Sequence, residues 1–182
     1  ERYSTYVEVR DLENYLCGRM RTGHFVGVAT VVTKLFNIVK PHYAVFGQKD
    51  YQQLKIIEKM VRELNMDLEI ISYPTVRETG GLAMSSRNVY LSPGERDKAL
   101  LIYASIQRVE ELFHSGERDA NALKKEARQV IDSKEGVDIE YMSICNADTL
   151  EEVDQIQDKA LYAIACHVGK TRLIDNTVLM EV

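Results

Sequence analysis

"PHYAVFGQKDYQQLKIIEKMVRELNMDLEIISYP", residues 41–74, is the stretch on which the fold turns. "YAVF" (43–46) is short, continuous and apolar, the composition of a strand buried in a parallel sheet. Leu54, Ile57, Val61 and Leu64 then recur at three- and four-residue spacing, which predicts an amphipathic helix. "LEIISY" (68–73) reads as a second buried strand. Strand, helix, strand is a βαβ unit, and in sheets built from such units ligands sit at the carboxyl ends of the strands. The residues at the first of those ends, "GQKD" (47–50), crowd a cation and an anion at a strand-to-helix turn.

Upstream, Val28, Val31, Val32, Leu35, Ile38 and Val39 form a stripe that predicts a helix ending at Lys40, before Pro41. "YSTYVEV" (3–9) alternates β-formers with polar residues and reads as a strand. The chain opens at Glu1, without methionine and inside that pattern, and two parallel strands are few beside the five or six of a typical sheet. Both features lead to the expectation of a piece of a longer protein.

Downstream, "PTVRETGGLAMSSRN" (74–88) is a long loop with few apolar residues. Ser92, Pro93 and Glu95 supply an N-cap, a first-turn proline and a capping-box glutamate for a helix over about 93–115, closed by Gly116. Asp119 can cap another helix running to about 134. The period then switches to two: Val137, Ile139 and Tyr141 alternate, "LYAIACHV" (161–168) is β-rich, and Gly169-Lys170 is a two-residue turn into "TRLIDNTVLMEV" (171–182). The expected fold class is α/β over residues 1–88 followed by a smaller α+β domain over 89–182.

The totals exclude several functions. A net charge of −5 and a pI near 5.5 leave no cationic excess to coat nucleic acid or a membrane surface, so a bound anion must be met by a few placed cations. Cys17, Cys145 and Cys166 are widely spaced, which argues against a disulfide framework or a zinc site and for a reducing cytoplasm. No apolar run of 18 residues and no signal-peptide pattern occur, so no membrane partner is expected.

Three polar stretches are candidates for chemistry. Gly47 lets a ligand approach the backbone, and Lys49 is a point cation beside a helix N-terminus, which itself attracts anions. Asp50 and Gln53 also fit a capping box that needs no ligand. In "MSSRN" (84–88), Ser85 and Ser86 offer hydroxyl and backbone donors, and Arg87 offers a fork that grips phosphate oxygens. Arg21 and His24, in "RTGHFVGV" (21–28), sit beside glycines where a helix begins, and are possible site-lining residues.

Taken together, "RTGHFVGVATVVTKLFNIVKP", "FGQKDYQQL", "PTVRETGGLAMSSRNVYL" and "TRLIDN" resemble the pantothenate synthetase (pantoate-beta-alanine ligase) family, in order and spacing. The resemblance implies a partial Rossmann-like nucleotidylyltransferase domain of the HUP type, then a smaller α+β domain. It implies that Gly47, Gln48, Lys49, Asp50, Met84, Ser85, Ser86 and Arg87 contact ATP, with Val76 on the adenine side, and that Gln53 holds pantoate. Lys49, Ser85, Ser86 and Arg87 would be catalytic, magnesium would bridge the ATP phosphates without a protein metal site, and β-alanine would be the second acceptor. A cytoplasmic homodimer is implied, and Gly80 and Gly81 would let the "MSSR" segment close over ATP.

The chain departs from the family at two places. Gln48 stands where the family usually has Glu, and the early H-x-G-H motif has no counterpart among His24, His42, His114 and His167. The chain therefore resembles the C-terminal two-thirds of such an enzyme, and alone it is expected to be weak or inactive. The rival readings are another nucleotidylyltransferase with a different acceptor, and a non-catalytic dimerisation module pairing through "YSTYVEV".

Overall fold

The strand, helix, strand reading holds. In a computed structural model that describes residues 3–181, Tyr43–Gly47 (β1) and Glu69–Tyr73 (β2) pair in parallel, with Val45 opposite Ile71 and Gly47 opposite Tyr73. Between them Tyr51–Glu63 (α3) buries Leu54, Ile56, Ile57, Met60 and Val61. Leu16–Met20 (α1) and His24–Val39 (α2) precede β1, and α2 packs on α3, with the Thr33 hydroxyl 3.1 Å from Met60 Sδ. Lys40 ends α2 in the left-handed conformation, φ 49°, one residue before Pro41.

Two expectations for this first unit fail. "YSTYVEV" is not a strand: residues 3–9 have no ladder partner among the described residues, and the Val7 N–H is met by the Thr30 hydroxyl at 2.9 Å. Nor are the parallel strands buried on both faces, since Tyr43 and Val45 are both 62% exposed. The expected helix forms as α2 and ends at Lys40. Phe25, Ala29 and Val32 face inward, whereas Val31, Leu35, Ile38 and Val39 face outward with nothing packed over them among the described residues.

The second unit is closed. Pro93–His114 (α4) and Ala120–Ile131 (α5) pack on a three-stranded antiparallel sheet of Val137–Asn146 (β3), Ala160–Val168 (β4) and Thr171–Leu179 (β5), in the order β3-β4-β5. β4 lies in the middle, which is why it reads as a continuous apolar run. Ile106, Phe113, Leu123, Ile144, Tyr162 and Ile164 are among the core residues beneath the helices. Burial pushes the thiols of Cys145 and Cys166 up to about 12.

The punctuation is as the sequence indicates. Ser92 and Glu95 form the reciprocal capping box, Asp119 caps α5 through the Ala122 N–H, and Gly169-Lys170 joins β4 to β5. Val182, at the end of the expected last strand, lies outside the described residues.

The chain divides into compact units after Pro74. The loop expected to close the first domain therefore packs with the second. It is also more ordered than its composition implies. Glu78 N–H donates to Leu82 O at 2.8 Å and Met84 N–H to Val76 O at 2.9 Å, forming a narrow hairpin, and Ser86–Tyr90 follow as a 3-10 turn.

Candidate functional site

Apart from Arg21 and His24 at the start of α2, the candidate residues fall on two short segments, one in each unit. In the first unit, Gly47, Gln48, Lys49, Asp50 and Gln53 lie along one turn, where β1 ends and a 3-10 turn (Gln48–Asp50) leads into α3. Gly47 has φ −75° and a Cβ there would meet nothing within 4 Å, so neither conformation nor packing requires a glycine. What it leaves is open backbone at a strand's carboxyl end. The Lys49 side chain is only 16% exposed, its Nζ 3.8 Å from Asp50 Oδ2, and is held rather than waving in solvent.

The expected Asp50 and Gln53 capping box does not form, because Asp50 makes no side-chain cap and turns toward Lys49 instead. The Gln53 amide, half-buried, has no hydrogen-bond partner among the described residues. The Gln48 amide donates to the Ser72 hydroxyl at 2.9 Å and ties the ends of β1 and β2 together. A glutamate could make the same tie with the donor reversed.

Gln52 was missed by sequence reasoning. It is 6% exposed, donates to the carbonyls of Leu12 (2.8 Å) and Tyr15 (2.7 Å), and accepts from Gly18 N–H (3.3 Å). The signal was present, because 52, 56 and 60 share one face and its other two members are the buried Ile56 and Met60. Arg21 and His24 lie at the start of α2, and the Arg21 N–H donates to the carbonyl of Gly18, the residue whose own N–H meets Gln52. Arg21 Nη1 is 3.3 Å from His24 Nε2, and Arg21 lines a cavity of about 390 Å³ with Glu8, Glu13 and Arg19.

In the second unit, Val76 and Met84 are joined by the hairpin and are 52% and 55% exposed. Ser85 Oγ accepts from the Arg87 N–H at 3.2 Å, starting the 3-10 turn, and Ser86 and Arg87 are exposed upon it. Three arginines serve this segment, and two are engaged. Arg77 forms a two-pronged pair with the buried Asp175 at 2.6 and 3.1 Å, donates to Gly81 O, and lies 4.2 Å over the Tyr103 ring. Arg96 pairs with Glu78. The Arg87 guanidinium has no ion-pair partner among the described residues. A free planar cation beside two hydroxyls and a turn of backbone amides is an arrangement for oxyanions.

Gly81, φ +94°, is fixed by a close approach: a Cβ would lie 2.0 Å from the Tyr103 ring. The glycine pair thus has a packing explanation as well as a hinge reading. Bonds from Asn88 first, then Arg96, hold the Glu78 carboxyl below the usual glutamate range. Among the described residues no group of three His, Cys, Asp or Glu is placed to hold a metal ion, and no helix is long and apolar enough to cross a membrane.

Comparison with known proteins gives a consistent picture. The model of the pantoate-beta-alanine ligase family matches residues 1–178. The chain is 56% identical over 177 residues to the pantothenate synthetase of Thermotoga petrophila and 53% identical over 177 residues to that of Acetivibrio thermocellus. Each match takes in 97% of this chain and 63% of the relative, so the chain spans under two thirds of the relatives' length. Among solved structures it resembles the pantothenate synthetase of Thermus thermophilus, with a TM-score of 0.94 and 37% identity over all of this chain and 66% of that one. A pantoate-beta-alanine ligase from Francisella tularensis, complexed with beta-gamma ATP and beta-alanine, matches with a TM-score of 0.71 and 29% identity, over 96% of this chain and 58% of that one.

Proposed function

The chain belongs to the pantoate-beta-alanine ligase family, and we propose that it supplies ATP- and pantoate-binding residues of an enzyme that joins pantoate to β-alanine, working as a homodimer in the cytoplasm. A free carboxylate is a poor electrophile, so the pantoate carboxylate first attacks the α-phosphorus of ATP, giving pantoyl adenylate and pyrophosphate. The amine of β-alanine then attacks the acyl carbon and AMP leaves. Negative charge grows on the phosphoryl oxygens in the first step.

Lys49, Arg87, Ser85 and Ser86 are the donors proposed to meet that charge, and open backbone at Gly47 to Asp50 would let phosphates approach. Val76 and Met84 offer exposed apolar surface for the base, and the unengaged Gln53 amide would bind pantoate. Magnesium, held by the ATP phosphates, would supply further charge neutralisation. The acyl transfer needs little beyond a deprotonated amine held near a reactive adenylate.

The observation that carries the reading is Arg87, unpaired beside two serines where the neighbouring arginines are both engaged in ion pairs. Exchange of labelled pyrophosphate into ATP by the full-length protein, without β-alanine, tests it. Exchange that requires pantoate is the expected result. Exchange without pantoate would assign another acceptor, and none at all would leave a binding module. Lys49→Ala is expected to lower the exchange rate about a hundredfold, near 3 kcal/mol, the scale of one lost preorganised donor.

A further inference from the structure

We propose that Asn88 is a positioning residue, holding Ser85, Ser86 and Arg87 as a preformed platform for the ATP phosphates rather than as a lid that closes on them. The proposal rests on the reading of those three residues as ATP ligands.

Asn88 is 2% exposed, although it directly follows the exposed Arg87. Its side-chain amide donates to Glu78 Oε1 at 2.7 Å and to the Ala83 carbonyl at 3.1 Å, which ties both strands of the hairpin to the 3-10 turn. Its backbone N–H donates to Ser85 O at 3.0 Å, and its carbonyl accepts from Arg96 Nη2, on α4, at 3.2 Å. Arg96 in turn pairs with the second oxygen of Glu78. One residue thus links the hairpin, the turn that carries the candidate ligands, and the first turn of α4.

The chemistry is specific to asparagine. Aspartate would set a second carboxylate against Glu78, and alanine would remove both ties. The amide orientation is fixed by its two acceptors, because the flipped form would set its oxygen against a carboxylate and a carbonyl. In the observed orientation Asn88 Oδ1 is buried with no hydrogen-bond partner among the described residues. Arg77 anchors the same hairpin independently, through Asp175 on β5 and the Tyr103 ring. A segment pinned from both sides binds with little ordering left to do.

The test uses the full-length protein and three variants, Asn88→Ala, Arg87→Ala and the core change Leu123→Ala. ATP affinity is measured by calorimetry and unfolding by heat. Asn88→Ala is expected to raise the Kd for ATP about tenfold with the KM for pantoate unchanged, the scale of one lost ordering contact. Leu123→Ala is expected to lower Tm and leave ATP binding alone. If Asn88→Ala behaves like Leu123→Ala, the residue is merely structural and the proposal falls. If Arg87→Ala leaves the Kd for ATP unchanged, the ligand reading fails first and takes the proposal with it.

Hydrogen exchange of the unsubstituted protein covers the case in which Asn88→Ala does not fold. Backbone amides of residues 86–88 that exchange slowly before ATP is added support a platform. Amides that exchange freely and become protected only with ATP would establish a lid.

Discussion

The two units treat their apolar residues in opposite ways. From Thr75 onward the apolar pattern is spent internally: β4 is buried along nearly its whole length and two helices cover the sheet. Before Pro74 the same kinds of residue face outward, with Ile38 at 75% and Val39 at 65% on α2 and Tyr43 and Val45 at 62% on β1. The difference teaches that an apolar stripe reports a face that is to be covered, without reporting what covers it. Exposed apolar surface on this scale is the mark of a contact surface.

The largest expected effect that would sharpen the contrast is in the closed unit. Phe113→Ala removes a 1%-exposed ring that also carries the Arg118 guanidinium at 4.0 Å, and should cost about 3–5 kcal/mol in chemical denaturation. Ile38→Ser, on the open face, should change stability by no more than about 0.5 kcal/mol. Equal losses for the two would erase the distinction.

A smaller effect is expected at the hairpin. Gly81→Ala forces an L-residue to φ +94° and pushes a methyl into Tyr103, costing roughly 2–4 kcal/mol of thermal stability. A neutral result would mean that the hairpin is free to move away from α4.

Acid should loosen the same segment. The folded Glu78 carboxyl titrates below its unfolded value, so its contribution is fully present above the ordinary glutamate range and is lost as pH falls through the lowered folded value. Protection of residues 76–91 from hydrogen exchange, relative to the intrinsic rate at each pH, should therefore fall at acid pH before that of β4, and Glu78→Gln should abolish the difference. The smallest effect leaves stability untouched: a thiol reagent at pH 8 should label the half-buried Cys17 of the open unit well ahead of Cys145 and Cys166. Equal rates at all three would show that the second core opens readily.

What could be read from the sequence follows the range of the forces involved. Caps and turns are local, so Ser92, Glu95, Asp119 and Gly169 were legible from neighbouring residues. The parallel pairing of β1 and β2 was legible because a helix of the right length separates two apolar runs. The Asp50 cap failed because a 3-10 turn runs directly into α3 and leaves Asp50 at φ −98°, ψ 56°, outside the extended conformation of a capping residue. Residues 3–9 failed because alternation makes a strand only beside another strand.

The candidate ligands were visible as polar clusters, whereas the groups that hold them were not. Gln52 acts on residues 34 to 40 positions away, and Arg77 on one 98 positions away, beyond what any local pattern records. The expected domain boundary at 88 followed the end of a polar loop, while the contacts of that loop run to α4 and β5.

That last distance has a consequence for how the protein is made. Arg77 leaves the ribosome 98 residues ahead of the aspartate that anchors it. At the usual pace of synthesis the delay is roughly 5 to 20 s. Throughout that interval the serines and Arg87 are already present but lack their anchor on β5. A nascent chain arrested before residue 175 should carry Ser85, Ser86 and Arg87 on a hairpin held from one side only.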